Sequence, residues 1–283
     1  MSALPADREF LSGHRGDPGR FARARDIVLD ARLGLARAGA RLDELAESAP
    51  PRAVLVIGPY RPGSRDLARS VEELRRTTRH SVRVALGARA PEPDPALADG
   101  TVVTGLEGGG KYENLNRVLE ATGADADWTL AVDDDVLLPR RFLDRFVGVC
   151  EHLGLALAQP AQSLASFAAW PQTRRRGGSL ARETRFVEIG PVTAFRRDVL
   201  AAITPFPVGR QSWGLDLHWA ALAEERGWRL GVVDALPVRH EHGAVAADYS
   251  ASDEIEHARR FLAERPFVDS TRAQETIRTH PLR

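Results

Sequence analysis

The sequence predicts an α/β fold built on a doubly wound, mainly parallel sheet, with an N-terminal helical extension and a C-terminal helix. Three observations carry that expectation. Short apolar runs at 53–57, 82–86, 101–104 and 128–132 alternate with amphipathic helical stretches, the pattern of βαβ units. Loops rich in glycine and proline separate them at 58–64, 90–100 and 105–111. The run Trp128–Val132 is uncharged and mostly apolar, as in a strand covered on both faces. It leads straight into Asp133, Asp134 and Asp135, at the carboxyl edge where open α/β sheets bind ligands.

Residues 1–16 are expected to be a loosely attached tail. From Asp17-Pro18 one long helix is expected to reach about Glu47, since Phe21, Ala24, Val28, Ala31, Leu35, Ala38, Leu42 and Leu45 alternate steps of three and four. That seam could form a homodimer through residues 18–47 or lie on the main domain. Ile27, Leu29 and Leu33 widen the apolar face, which favours the second. Helices are expected at 65–77, 113–122, 140–155, 197–203 and 215–226, strands at 155–158, 185–195 and 229–233, irregular chain at 159–183, and a solvated loop at Arg174–Arg176. Val238 to Gly243 closes the core, and a last helix over 252–264 takes Ser252 as its cap. The domain reading is a tail and long helix (1–50), a ligand-binding domain (51–250), and a helix with its tail (251–283).

With 39 basic and 39 acidic residues the net charge is zero, which argues against nucleic-acid binding by bulk electrostatics. No apolar run of about 18 residues and no signal-peptide pattern is present, so no membrane span and a cytoplasmic location are expected. Cys150, the single cysteine, excludes an internal disulfide and reads as packing. The 39 basic residues include one lysine, Lys111, which suggests a position that needs a compact ammonium.

Along an extended backbone Asp133 and Asp135 face one point while Asp134 faces away. Two converging carboxylates suit Mg²⁺ or Mn²⁺; the alternative is an acidic turn before the helix that Pro139 opens. Gly105 to Lys111 fits GxxxxGK, the start of a P-loop, but Tyr112 replaces its Ser or Thr. The glycines and Lys111 could also hold a diphosphate without that fold, with Asn114 on a ribose or phosphate; a flexible loop and a capping asparagine is the bland alternative. Trp213, Gly214 and Asp216 set an indole beside an acid at a helix start, an arrangement that suits a sugar, or else a core tryptophan and a cap. His240 and His242 share a face after a strand and could complete a coordination shell.

Taken in order, Asp133-Asp134-Asp135, Lys111-Tyr112-Glu113-Asn114-Leu115-Asn116, Gly190 to Arg197, Gly214-Leu215-Asp216-Leu217 with Arg226-Gly227-Trp228-Arg229, and Val238-Arg239-His240 resemble the ordered motifs of GT-A-type, family-two-like nucleotide-sugar glycosyltransferases. The resemblance spans residues 53 to about 245. It implies a GT-A-like fold and a metal-dependent hexosyltransferase-like enzyme that moves a sugar from a nucleoside-diphosphate sugar to an acceptor hydroxyl, with inversion. It implies a metal on Asp133, Asp135 and His240, donor contacts from Pro59, Tyr60, Arg61, Lys111, Asn114 and Asp134, acceptor contacts from Trp213 and Gly214, and Asp216 as general base. Leu215 stands where the family commonly has Glu, and Gly87-Ala88 where an acid often meets the nucleoside. A catalytically silent sugar-nucleotide or glycan-binding domain and, less favoured, a P-loop NTPase are the rival readings.

Overall fold

Residues 18–106, 108–207, 212–240 and 250–282 are described by a computed structural model. The expected tail at 1–16, His242 and most of the loop before Trp213 lie outside them.

The expected single N-terminal helix is two helices, α1 (Ala22–Leu35) and α2 (Ala38–Ser48). Arg37 takes a left-handed conformation (φ 52°), so the i→i−4 ladder stops there and the seam changes direction. Leu42 and Leu45 of α2 are buried in the main domain, whereas Phe21, Val28 and Leu35 of the same seam are exposed.

The first half then follows the expected alternation: β1 (Ala53–Tyr60), α3 (Arg65–Arg75), β2 (Ser81–Ala88), β3 (Thr101–Val103), α4 (Lys111–Thr122) and β4 (Trp128–Val132). A two-residue strand, β5 (Val136–Leu137), and α5 (Phe142–Leu153) follow the carboxylates. The second half comprises β6 (Leu157–Gln162), β7 (Ser179–Thr184), β8 (Val192–Arg196), α6 (Arg197–Ile203), α7 (Leu215–Arg226), β9 (Leu230–His240), α8 (Ala251–Ala263), α9 (Ser270–Ala273) and β10 (Thr276–Pro281).

Among the described residues the strands form one mixed sheet in the order β10-β7-β9-β6-β8-β4-β1-β2-β3, with β5 paired to β9 outside that path. The β1–β2, β1–β4, β2–β3 and β6–β9 pairs are parallel, and β8 runs antiparallel between β4 and β6. Period-two alternation sends Val54 and Val56 to one face and Leu55 and Ile57 to the other. The first pair packs with Leu42, Leu67, Val71 and Phe146 from α2, α3 and α5; the second packs with Leu115, Val199 and Trp219 from α4, α6 and α7. Helices on both faces explain why β4 has no polar side. Cys150 is buried in the first cluster, as packing requires.

The second half differs from expectation in instructive ways. Residues 159–183 contain the buried end of β6 and all but the last residue of β7, and β10 adds an edge strand where a tail is expected. β7 reads Ser-Leu-Ala-Arg-Glu-Thr, too polar to signal a buried strand. Its Arg182 is nonetheless fully buried, donating to Asp234 at 2.8 and 2.9 Å and to the carbonyls of Gln172 and Arg174. Arg174 and Arg175 are likewise tied down: Arg174 donates to the carbonyls of Leu164 and Ser166, and Arg175 is buried against Asp26 and Asp30, so of the expected solvated loop only Arg176 is exposed. The cap of α8 is Ser250 rather than Ser252, its Oγ accepting from Asp253 N–H.

Removing one member of a fully buried ion pair strands the other. Asp234→Ala is therefore expected to cost about 3–5 kcal/mol, measured by urea unfolding, and Arg182→Met/Asp234→Leu much less, because it leaves no uncompensated charge.

Candidate functional site

Parallel pairing of β1 with β4 places the ends of both strands on one sheet edge. Gly58 lies so close to β4 that a β-carbon would stand 2.5 Å from the Val132 carbonyl oxygen, so only glycine lets the two backbones meet there. Past that point the chain turns out as Pro59-Tyr60-Arg61 on one side and Asp133-Asp134-Asp135 on the other.

The three carboxylates divide as expected, but through a turn: β4 ends at Val132, and Asp134 and Asp135 turn the chain into β5. Asp134 turns to the β1 loop, accepting from the Arg61 backbone N–H (2.8 Å), the Arg61 guanidinium (both contacts 3.0 Å) and Ser64 Oγ (3.1 Å). It fixes the 61–64 loop. Asp133 and Asp135 turn inward. β5 pairs antiparallel with β9, Val136 opposite His240, and this register carries Asp135 beside the imidazole. His240 Nε2 lies 3.1 Å from Asp135 Oδ1, and its Nδ1 is 3.2 Å from the Phe167 carbonyl. Asp133, Asp135 and His240 each present one ligand atom, all within 4.8 Å of one another.

Lys111, the first residue of α4, reaches this group. Its ammonium donates to Asp133 Oδ1 at 2.6 Å and to the Ile189 carbonyl at 2.7 Å. The close approach is possible because residue 190 is glycine: a β-carbon there would lie 2.7 Å from Asp133 Oδ2 and 3.0 Å from Lys111 Nζ.

Charge is concentrated here. Burial raises the Asp133 carboxyl above the usual carboxylate range; Lys111 pulls it back and the Asp135 charge adds to the rise. Burial works against the His240 imidazolium, but the Asp135 hydrogen bond and the charges of Asp135 and Asp133 outweigh it and lift the group to about 9. A protonated histidine and a lysine thus supply the positive charge that two facing carboxylates demand. Two hard oxygen donors and one imidazole nitrogen converging on a point are a donor set that fits Mn²⁺ or Mg²⁺.

Asp216 sits in the first turn of α7 and is buried; burial pushes its carboxyl up to about 7, against backbone N–H bonds from Leu217, Asp216 and Gly214 that lower it. Gly214 takes φ 90° at the cap, with Leu262 of α8 against it. Sequence reasoning missed a second acid, Glu188. Burial pushes it to about 7; its Oε2 accepts from Thr173 and Gln162, and the charges of Asp216, His240 and Lys111 act on it. An acid between Val187 and Ile189 was the available signal.

Several expected ligand contacts are turned into the fold. Tyr60 is buried, its hydroxyl at 2.8 Å from Thr101 Oγ1 and accepting from Asp94 N–H, so it anchors the 90–100 loop. Asn114 is buried, its Nδ2 donates to the Gly109 carbonyl and its Oδ1 meets no partner among the described residues. Trp213 is partly buried against the cluster that holds Leu217 and Leu262. Pro59 is partly buried and Arg61 exposed at the edge. Gly87, where the resemblance leads to expect an acid, lies under Leu106 and Val118, leaving no room for one.

No protein-family model matches the chain, and no curated protein matches it in sequence. Among solved structures, the chain is similar to a mannosyltransferase from Pyrobaculum calidifontis in complex with GDP-Man and Mn²⁺ (19% identity, TM-score 0.46, 75% of this chain and 68% of that one). It is also similar to GalNAc-T7 with UDP, GalNAc and Mn²⁺ (12%, TM-score 0.49, 66% and 42%) and to a mycobacterial protein (16%, TM-score 0.48, 86% and 87%). At these identities the reading of the site rests on its own geometry. Among the described residues no helix is long and apolar enough to cross a membrane.

Proposed function

We propose that the chain is a metal-dependent glycosyltransferase of the GT-A type, moving a sugar from a nucleoside-diphosphate sugar to an acceptor hydroxyl with inversion. The observation that carries this reading is the convergence of Asp133, Asp135 and His240 beside Lys111, at the edge of the sheet.

In this reading Asp133, Asp135 and His240 hold Mn²⁺ or Mg²⁺, which would offset the charge of a departing nucleoside diphosphate when bound. Lys111 adds a fixed ammonium on the same side, already positioned by the Ile189 carbonyl, so no reorganisation is needed as that charge grows. Arg61, held by Asp134, lines the donor's entrance. Asp216 accepts the proton of the acceptor hydroxyl as it attacks the opposite face of the sugar, and a carboxyl near 7 suits that task at neutral pH. Glu188, beside it, holds the acceptor hydroxyls.

The second reading, a binding domain without turnover, is favoured by one observation: Leu215 is buried in the core where a family member would carry an acid toward the acceptor. A thermal-shift panel of nucleoside diphosphates and nucleotide sugars, with and without Mn²⁺, tests the donor site. At about 100 times Kd, a selective ligand is expected to raise Tm by ~5–10 °C, and EDTA to remove the shift. Absence of any Mn²⁺-dependent shift overturns the donor reading; a shift without donor hydrolysis or transfer supports the silent domain. Hydrolysis of ATP or GTP that depends on Gly110 and not on Asp216 supports a P-loop enzyme instead.

A further inference from the structure

α1 has an inner face that anchors it and an outer face that stays open to solvent among the described residues. On the inner face the Asp26 carboxylate accepts the backbone N–H groups of Leu164 (3.0 Å) and Ala165 (2.9 Å), while the buried Arg175 donates to Asp30 at 2.6 Å and reaches Asp26 at 3.4 Å. Leu29 lies over Gly177, where a β-carbon would stand 2.8 Å from it. On the outer face Phe21, Ala24, Val28, Ala31 and Leu35 recur at steps of three and four with Ile27 beside them. The large members are 65% (Phe21), 69% (Ile27), 51% (Val28) and 86% (Leu35) exposed. An apolar stripe this open to water marks an interaction surface.

Arginines edge the stripe. Arg25 and Arg32 follow Phe21 and Val28 by four residues along one side; Arg23 precedes Ile27 by four on the other, and Arg20 stands at the N-terminal end, all of them exposed. The two acids of the helix, Asp26 and Asp30, are engaged by Arg175. The outward surface is therefore apolar in the middle and cationic along its borders.

We propose that α1 docks the protein on an anionic lipid surface, lying in the headgroup plane with the Phe21–Leu35 stripe sunk toward the acyl chains and its arginines on lipid phosphates. Charge decides the occupant. Stripe-to-stripe pairing with a second copy would set arginine borders against arginine borders, the two acids of the helix being already engaged by Arg175. Anionic headgroups satisfy the stripe and the borders together. The segment that α1 grips also carries Ser166 and Phe167, which bond the backbone and ring of His240, so the docking face is tied to the candidate site within a few residues. The inference stands apart from the reading of that site, since it concerns binding and not turnover.

Co-sedimentation of the full chain with vesicles tests it. The protein is expected to pellet with phosphatidylcholine vesicles containing about a third phosphatidylglycerol and to stay in solution with phosphatidylcholine alone. Raising the salt to 1 M is expected to release it, since the Debye length there is ~3 Å. Arg25→Gln/Arg32→Gln is expected to weaken partitioning by about 25-fold, at roughly fivefold per arginine. Val28→Gln/Leu35→Gln is expected to lose at least tenfold with unchanged circular dichroism, because both side chains are exposed. Equal binding to both vesicle types, no binding to either, or a dimer by light scattering that Val28→Gln/Leu35→Gln splits into monomers, would each overturn the proposal, the last in favour of a second copy.

Discussion

Asp135→Asn is expected to lower transfer by about 10²–10³-fold and to abolish Mn²⁺-dependent nucleotide binding, because the amide removes both an anionic ligand and the partner that orients His240. A second consequence appears with no metal or nucleotide added. His240 owes its rise to about 9 first to overcoming burial, and the means of overcoming it is chiefly the Asp135 hydrogen bond and charge. With asparagine in that place the imidazole is expected to titrate well below 9, followed by NMR of the metal-free protein. The sign of the linked stability is fixed. A folded-state value above that of the unfolded chain gives stability that is complete below about 6.5, the unfolded value, and is lost as pH rises through about 9. That decline between roughly pH 6.5 and 9 is expected in thermal melts of the parent and absent in Asp135→Asn. Asp134→Asn gives the contrast: it loosens the Arg61–Ser64 loop, whose contacts converge on that carboxylate, and leaves Mn²⁺ affinity within about threefold. Equal loss of Mn²⁺ in both variants would mean that the triad does not hold the ion.

What the sequence made legible is what local chemistry alone decides. The strand running into Asp133–Asp135 marks the sheet edge, although a turn and not strand periodicity sets the pair apart from Asp134, and the lone lysine has its ammonium on Asp133. Bringing His240 to that point depends on β5 pairing with β9 across about a hundred residues, which no local pattern encodes; the resemblance to a family supplied it. Other roles leave no such mark. Tyr60 and Asn114 are polar residues beside loops, and from sequence a polar group facing a ligand looks the same as one bonded inside the fold to Thr101 or Gly109. β7 escaped notice for the related reason that Arg182 is buried only because Asp234 and two carbonyls, far along the chain or across a turn, await it. The break at Arg37 likewise follows from α2 packing on α5, where Gly148 lets the backbone of Ala46 approach, and not from any helix-stop signal.

Asp216→Asn is expected to remove transfer by 10³-fold or more while leaving Mn²⁺ and nucleotide binding nearly intact, and to make the protein more stable above neutral pH. The two effects have one origin. Burial holds the carboxyl at about 7, so the folded chain keeps a proton there that the unfolded chain, near 3.9, has already lost. Stability therefore falls as pH rises from about 4 to 7 and stays at the lower level above it. Asparagine carries no charge to bury and keeps an oxygen for the Leu217 N–H, which Asp216 Oδ1 accepts at 2.9 Å. At ~1.4 kcal/mol per pKa unit the gain at pH 8 amounts to a few kcal/mol, read as a higher Tm at pH 8 and an unchanged one at pH 4. The same ionisation is expected as a rising limb in kcat/KM near pH 7, since the base must be unprotonated to accept the acceptor's proton. Glu188 titrates in the same range and feels the Asp216 charge, so the limb belongs to the pair until one member is changed. Glu188→Gln is expected to weaken acceptor binding and keep the limb. If Asp216→Asn instead retained transfer with the limb intact, and Glu188→Gln abolished both, the proton would be leaving through Glu188 and Asp216 would be a buried structural acid.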